Sequence, residues 1–436
     1  MRFQQQLTSR RRFLQRMGAS GALAAAAPWV VPAAALGNGE KPPPSERITI
    51  GFIGVGGHGI NRNLRMFLGQ HDAQVVAICD VDQAQIDKAS AVLRERLGER
   101  YTYQITRNWR EVIARDDVDA VMISTHDPWH VPMSTAAVRS GKDVICEKPT
   151  LTIAEGRVLS DVVRQFGAVF QWATEGRSLG VYHRMAELVR NGRIGKLRRI
   201  RVTLPAGPGN AGNPTPQPVP ANFDWDMWLG PAPWAPYRAG LHLFHWRWVS
   251  DYSGGQLSDW GAHLLDFSQW ANDTERSGPV EVEGTGRRHE SGLYDTYHEY
   301  HLKYRYADGV ELTIDSDGTG IRFEGTDGWV GNASWRAPLE ASSEEILRSE
   351  IGPDETHLFT EPRGEQRNFL DCVKSRRDPY FPAEVGHRCC SISHMGNIAI
   401  TLGRKLQWDP GGERFINDDT ANVMLARAMR EPWRLH

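Results

Sequence analysis

Ile48-Thr49-Ile50-Gly51-Phe52-Ile53-Gly54-Val55-Gly56-Gly57-His58-Gly59 decides the fold. A short apolar, β-branched run reads as a buried strand, and the G-x-G-x-x-G that follows reads as the turn into a helix. Each glycine has a reason. Gly54 permits the tight turn, Gly56 lets the backbone approach a pyrophosphate, and Gly59 allows close packing of helix on strand. Gly57 and His58 complete the loop, and the helix start offers free N–H groups to phosphate. The same glycines would also serve a purely structural turn. Residues 60–68 suit the helix and 75–79 a second strand, which Asp80 closes. A carboxylate there, about 20 residues beyond the loop, accepts both ribose hydroxyls and repels a 2′-phosphate, so NAD is expected in preference to NADP. The competing role for Asp80 is a cap for the helix after Asp82.

Working outward, strands are expected at 118–124, 143–146 and 168–171, and helices at 83–97, 131–140 and 153–166. Strand and helix in alternation imply a parallel sheet covered on both faces. After residue 171 the pattern changes. Residues 182–190 are helical, and 205–221 form a Pro/Gly-rich loop. Alternating runs at 280–284, 296–306, 310–315 and 321–325 predict an antiparallel sheet, and 368–374 and 383–402 are helical again. The fold class is therefore α/β: an N-terminal Rossmann parallel sheet over 47–171, then an α+β domain with an open, mainly antiparallel sheet over 172–436.

In front of the first strand stands Ser9-Arg10-Arg11-Arg12-Phe13-Leu14-Gln15, followed by a weakly apolar stretch to Val31 and Ala33-Ala34-Ala35. This order of basic, apolar and small-residue parts is an export signal of the twin-arginine type over 1–35, with a linker over 36–46. The apolar part is too short to span a bilayer. The expected location is periplasmic or otherwise exported, with no membrane attachment after cleavage. A net charge of −2 gives no reason to expect nucleic acid or an anionic membrane as partner. The five cysteines are too few and too irregular for a disulfide framework or zinc site, and Cys79 and Cys146 end apolar runs as buried thiols would. Fifteen Trp, several between Trp225 and Trp270, could build either core or a platform for sugar rings.

Cys146-Glu147-Lys148-Pro149 ends another expected strand, and a Glu-Lys-Pro turn alone is ordinary. Together with the glycine loop and with Gly254-Gly255-Gln256-Leu257-Ser258-Asp259-Trp260-Gly261-Ala262-His263-Leu264-Leu265-Asp266, it resembles the Gfo/Idh/MocA family of glucose–fructose oxidoreductases, inositol dehydrogenases and relatives. Further matches lie at 171–178, 223–233 and 383–410. The resemblance implies that Lys148, Asp259 and His263 form the catalytic set, with Glu147, Lys148, Thr125 and His130 beside the cofactor. The residue types suit oxidation of a secondary alcohol. A neutral His263 can take the hydroxyl proton, Asp259 could orient its imidazole from one turn earlier, and Lys148 can hold the developing alkoxide. An ordinary helical charge pair is the competing account of Asp259 and His263. One stretch departs from the family: relatives carry T-P-D-H-W-H where this chain has Thr125-His126-Asp127-Pro128-Trp129-His130. The contacts of His126 stay open.

Substrate contacts are expected from Arg177, His245, Arg247 and Tyr252, besides Asp259 and His263; an Arg stacked between Trp246 and Trp248 is the structural alternative. His242 with His245, or His298 with His301, lacks a third ligand, so no metal is expected. An exported enzyme would find little free NAD, so the cofactor should stay bound and be regenerated in place. Two chemistries satisfy this for a sugar, polyol or glycoside. One oxidises one sugar and reduces a second compound. The other oxidises a sugar carbon transiently, eliminates and adds, then re-reduces, as NAD-dependent glycosidases of the family do. Those glycosidases tend to carry Asn in place of Asp259, which favours the first. A non-enzymatic binding component is the third possibility, and the complete Lys148, Asp259 and His263 set speaks against it. Relatives pair their open sheet faces, which implies a homodimer or homotetramer.

Overall fold

The computed structural model describes residues 42–435. The chain divides into Met1–Arg47 and Ile48–His436. Within the first, the described residues hold one 3₁₀ turn, Pro44–Glu46. The proposed export signal lies outside the described residues, as does nearly all of the linker.

In Ile48–His436, six parallel strands form the first sheet: β1 (Ile48–Ile53), β2 (Ala73–Cys79), β3 (Gln104–Thr106), β4 (Ala120–Ile123), β5 (Asp143–Glu147) and β6 (Phe170–Ala173). Their order is β3-β2-β1-β4-β5-β6, the two-sided winding that the strand–helix alternation implied. The helix after β1, α1, opens as a π-helical turn (Gly59–Leu64) and continues as an α-helical one (Arg65–Leu68). With α2 (Gln83–Leu97) it buries Leu64, Phe67, Ile86 and Leu93 on one face. Asp82 caps α2 by accepting from the Ala84 N–H, so Asp80 is free of that duty. α3 (Trp109–Ile113), α4 (Asp127–Arg139) and α5 (Ile153–Phe166) cover the other face.

α4 starts at Asp127, four residues before the expected start at 131. The relocated Pro128 explains this: in the first turn a missing N–H costs nothing, because that donor has no intrahelical partner. β6 runs two residues past 171 and carries Trp172 and Ala173 into the sheet.

After α6 (Gly180–Arg190) comes the second sheet, with β7 (Leu197–Thr203), β8 (Glu281–Arg287), β9 (Glu299–Arg305), β10 (Glu311–Asp315), β11 (Ile321–Gly325), β12 (Trp329–Asn332), β13 (Glu340–Ala341), β14 (Leu406–Asp409) and β15 (Arg414–Phe415). The order is β13-β12-β11-β7-β10-β9-β8-β14-β15. Pairings are antiparallel except β7 with β10. Ile200 and Val202 of β7 point into the core, while Arg199 and Arg201 stand on the outer face with Lys303, Glu311 and Glu324. In sequence between β7 and β8 come α7 (Trp225–Leu229), α8 (Gln256–Asp259) and α9 (Gly261–Ala271). Beyond β13 come α10 (Glu344–Arg348), α11 (Glu365–Ser375) and α12 (Ala383–Leu402), and α13 (Asp419–Val423) lies near the end of the chain. α12 packs beneath the second sheet, where the Tyr304 hydroxyl donates to the Ile392 carbonyl. α11 returns to the first sheet and buries Phe369 and Leu370 with β1, β5 and α1.

All five cysteines are free and buried, as two of them were expected to be. Among the described residues no helix is long and apolar enough to cross a membrane.

Candidate active site

The site is built at the carboxyl ends of the first sheet's strands. Gly54 has φ +85, and a Cβ there would sit 2.6 Å from the Ser124 carbonyl oxygen. At Gly59 a Cβ would come within 2.5 Å of the Gly54 carbonyl oxygen, whereas at Gly56 and Gly57 it would meet open space. Two glycines thus close the turn and two face a cleft. Asp80 reaches back into this loop. Its carboxylate accepts from the Val55 N–H at 2.8 Å and the Asp82 N–H at 3.0 Å. Burial nevertheless pushes Asp80 up to about 6, which is the state of a carboxylate short of donors.

The cleft has a volume of about 470 Å³ and takes in the glycine loop, His58, Asp80, Thr125 and His126. Its residues fit a dinucleotide. Open glycines admit the pyrophosphate, and ribose hydroxyls would supply what Asp80 lacks.

Glu147 ends β5 just behind the loop. It accepts from Asn63 Nδ2 at 2.8 Å and stands 3.0 Å from His58 Nε2. Burial would raise its pKa, but His58 and Asn63 outweigh burial and hold it at about 2. Lys148 follows in a cis Lys148–Pro149 turn and donates to both the carbonyl and the Oδ1 of Asp259, at 2.8 and 2.7 Å. Burial alone would discharge both partners. Their mutual attraction overrides it, so Lys148 lies above its usual range and Asp259 below its own. The second Asp259 oxygen faces Arg247 at 3.5 Å.

His263 stands one turn further on, but α8 ends at Asp259 and α9 begins at Gly261. No hydrogen bond joins the two side chains, although their charges still interact. The imidazole Nδ1 of His263 meets Thr174 Oγ1 at 2.8 Å, so Thr174, and not Asp259, orients the ring. Burial, reinforced by Lys148, lowers His263 to about 4 and keeps it neutral. Trp335 and Trp260 flank the ring, with centroids 5.2 and 6.0 Å away. Glu175, beside Thr174, ion-pairs with Arg336 at 3.1 Å and faces Arg62 at 3.6 Å.

Several expected contacts belong elsewhere. Arg177 does not face the cleft. It is buried in a two-pronged pair with Asp266 at 2.6 and 2.8 Å, and it also meets Glu275 and the Tyr380 carbonyl. His130 presents its ring nitrogens to the carbonyls of Pro149 and Thr125, at 2.8 and 3.2 Å, which makes it a buried brace and not a cofactor contact. Tyr252 is buried edge-on behind Trp228, and His245 is exposed and paired with the Tyr294 hydroxyl. Neither lines the cleft. Arg247 does line it, stacked over Trp246 and Phe244. His126, whose contacts were open, lies flat on Trp228 with ring centroids 4.0 Å apart.

Sequence reasoning missed Thr174, Glu175, Trp335 and Arg336. The first two directly follow β6, where the carboxyl-end rule could have found them. The other two carry no local signal.

Residues 48–174 match a family model described as "Oxidoreductase family, NAD-binding Rossmann fold", and residues 209–435 one described as "Oxidoreductase family, C-terminal alpha/beta domain". Among curated relatives, Glycosyl hydrolase family 109 protein 1 of a Shewanella species is 35% identical over 172 residues, covering 36% of this chain and 37% of the relative. Alpha-N-acetylgalactosaminidase of Shewanella oneidensis is 35% identical over 162 residues, covering 34% and 35%. The chain thus spans little more than a third of the length of these relatives. Among solved structures, the aldose-aldose oxidoreductase of Caulobacter crescentus superposes with a TM-score of 0.64 at 17% identity, covering 83% of this chain and 99% of that one. The WlbA dehydrogenase of Bordetella pertussis, solved with NADH and UDP-GlcNAcA, gives 0.62 at 16% identity over the same shares. At such identities the likeness speaks for the fold alone. The two family matches cover both halves of the architecture, and the chain belongs to the Gfo/Idh/MocA oxidoreductase family.

Proposed function

We propose that this protein is an exported, NAD-dependent carbohydrate enzyme that retains its cofactor and cleaves a glycoside with no net oxidation. The observation that carries the catalytic part is the charged Lys148–Asp259 pair with a neutral His263 near it, joined to the dinucleotide cleft through Arg247, which lines the cleft and faces Asp259. Bound there, the nicotinamide would supply a reversible hydride acceptor for a substrate carbinol. The chain's own residues do the rest. Lys148 holds the carbinol oxygen and stabilises negative charge on it. His263, neutral and held by Thr174, takes the hydroxyl proton. Asp259 keeps Lys148 charged and aimed. With the carbinol carbon as a ketone, the neighbouring C–H proton can pass to water. The glycosidic oxygen one carbon further can leave as an alcohol by taking a proton from water, and water can add across the resulting double bond. Return of the hydride to the ketone would restore the carbinol with no net oxidation.

The glycosidase outcome is supported by the family 109 and α-N-acetylgalactosaminidase relatives. The carboxylate at Asp259 favours a second reading, net transfer of hydrogen between two sugars. NAD rather than NADP is supported by Asp80, and export by the twin-arginine stretch ahead of the described residues. Feeding the purified protein N-acetylgalactosaminides and other glycosides in D₂O separates the readings. Cleavage with deuterium at the carbon beside the oxidised one supports the proposal. A paired ketone and alcohol, with the glycoside intact, replaces it by the second reading. A protein that turns over none of them and binds no dinucleotide overturns both.

A further inference from the structure

The dinucleotide cleft has a second wall that the glycine loop does not predict. It comes from the C-terminal half of the chain. Residues 222–224 lie alongside residues 81–83, just past Asp80, in a short antiparallel bridge between Asp82 and Phe223. Gln83 donates its N–H to the Asn222 carbonyl at 3.1 Å, and Asp224 donates to the Val81 carbonyl at 3.0 Å. Arg107 clamps both segments, donating from one Nη2 to the Val81 carbonyl at 2.7 Å and to the Asn222 carbonyl at 3.2 Å. Further along, Trp129 Nε1 faces the carbonyls of Met227 and Trp228 at 3.0 and 3.2 Å, and His126 stacks on Trp228. The segment then returns to the catalytic end, where Arg247 meets Asp259.

Both ends of this path look into the cleft: Phe223, Trp228, His242, Leu243, Phe244 and Arg247 all line it. Asp80 marks the ribose end and Arg247 the catalytic end, so the segment runs the length of the site. Two of its apolar side chains are largely exposed. Leu243 is 59% exposed and Phe244 54% exposed, both at the cleft and just after Gly240, whose φ is +76. Apolar side chains left in water beside a cleft are what a bound ligand would cover.

We propose that residues 222–247 form a strap that is part of the dinucleotide site. The strap is pinned at the ribose end by the bridge to residues 81–83 and must lift before the cofactor can leave. The proposal rests on the reading of the cleft as a dinucleotide site and gives cofactor retention a structural cause. Slow release then follows from the hydrogen bonds that lifting must break, because such costs fall on dissociation more than on association.

Dissociation of NADH, followed by its fluorescence after mixing with excess NAD, tests this directly. Arg107→Ala removes the clamp, and release is expected to quicken about tenfold or more. A second variant, Gln83→Cys with Asn222→Cys, places a reversible cross-link across the bridge. Oxidised, it should release NADH about tenfold more slowly than the same protein reduced. That comparison is internal, so it stands even if Arg107→Ala folds poorly. Release at one rate in the native, Arg107→Ala and oxidised forms, from a protein that does bind the dinucleotide, overturns the strap and leaves the proposed function intact. Absence of any dinucleotide binding overturns both.

Discussion

Asp259 and Asp266 sit in one run of sequence, each beside a basic side chain, yet the two pairs are built for different ends. Arg177–Asp266 is closed. Its side chains are 4% and 0% exposed, both carboxylate oxygens hold the guanidinium, and Trp270 and Phe381 cover the arginine. Lys148–Asp259 is ajar. Its side chains are 10% and 16% exposed, and one carboxylate oxygen is left to Arg247 at a loose 3.5 Å. A lysine ammonium has three donors, and Asp259 takes two of them. The remaining donor is what a substrate oxygen can use. Chemical identity therefore does not separate the two pairs; leftover hydrogen-bonding capacity does, and that capacity is what the proposed mechanism uses.

Four substitutions break or sharpen that contrast. Lys148→Met should lower kcat/KM for glycoside turnover by about a thousandfold or more while dinucleotide binding persists. Steady-state kinetics alongside a fluorescence titration checks it, and turnover within tenfold of native removes Lys148 from the mechanism. Arg177→Met should do the reverse. Stranding Asp266 without its partner costs about 3–5 kcal/mol in urea unfolding, and the folded fraction keeps native KM. A raised KM with native stability would return Arg177 to the substrate.

Asp259→Asn bears on pH. Asp259 holds Lys148 above its usual range, so losing that charge should move the alkaline limb of the pH–rate profile to lower pH. An unmoved limb would detach Asp259 from Lys148. In the proposed mechanism the acid limb belongs to His263, whose pKa is depressed from 6.5 to about 4. Activity should hold well below pH 6 and fall through about pH 4. The same depression means the unfolded chain binds the extra proton first, so this group's share of stability falls as pH drops from 6.5 toward 4. The smallest effect is expected from Thr174→Val. Loss of one orienting hydrogen bond should lower kcat about tenfold with KM nearly native. An equal change in KM would make Thr174 a substrate contact.

Much of this was legible in the chain. The glycine loop, Asp80 and the alternation of β1, α1 and β2 are local signals, and residues 83–97, 153–166, 321–325 and 383–402 were read with the bounds observed. β7 was missed because Leu197-Arg198-Arg199-Ile200-Arg201-Val202-Thr203 spends its polar positions on arginines that answer acids from distant strands. The site divides in the same way. Lys148, Asp259 and His263 converge as the motifs implied. Which acid or hydroxyl each one touches was decided by Thr174, arriving from just past the end of β6. Arg177 was misassigned because its partners Glu275 and Tyr380 are remote in sequence.

The return of α11 to the first sheet has a consequence for synthesis. Phe369, Leu370 and Cys372 complete a core otherwise drawn from the N-terminal half, and α11 rests on β6. Arg367 reaches Asp72 with both terminal nitrogens, at 2.8 and 3.0 Å. A nascent chain that has emerged only through residue 174 thus holds all six strands but leaves part of one sheet face bare. That face waits for α11, which follows β6 by about 190 residues of synthesis. The Rossmann half is thus completed only after much of the second domain has been made, and its bare apolar face is open to misassociation meanwhile.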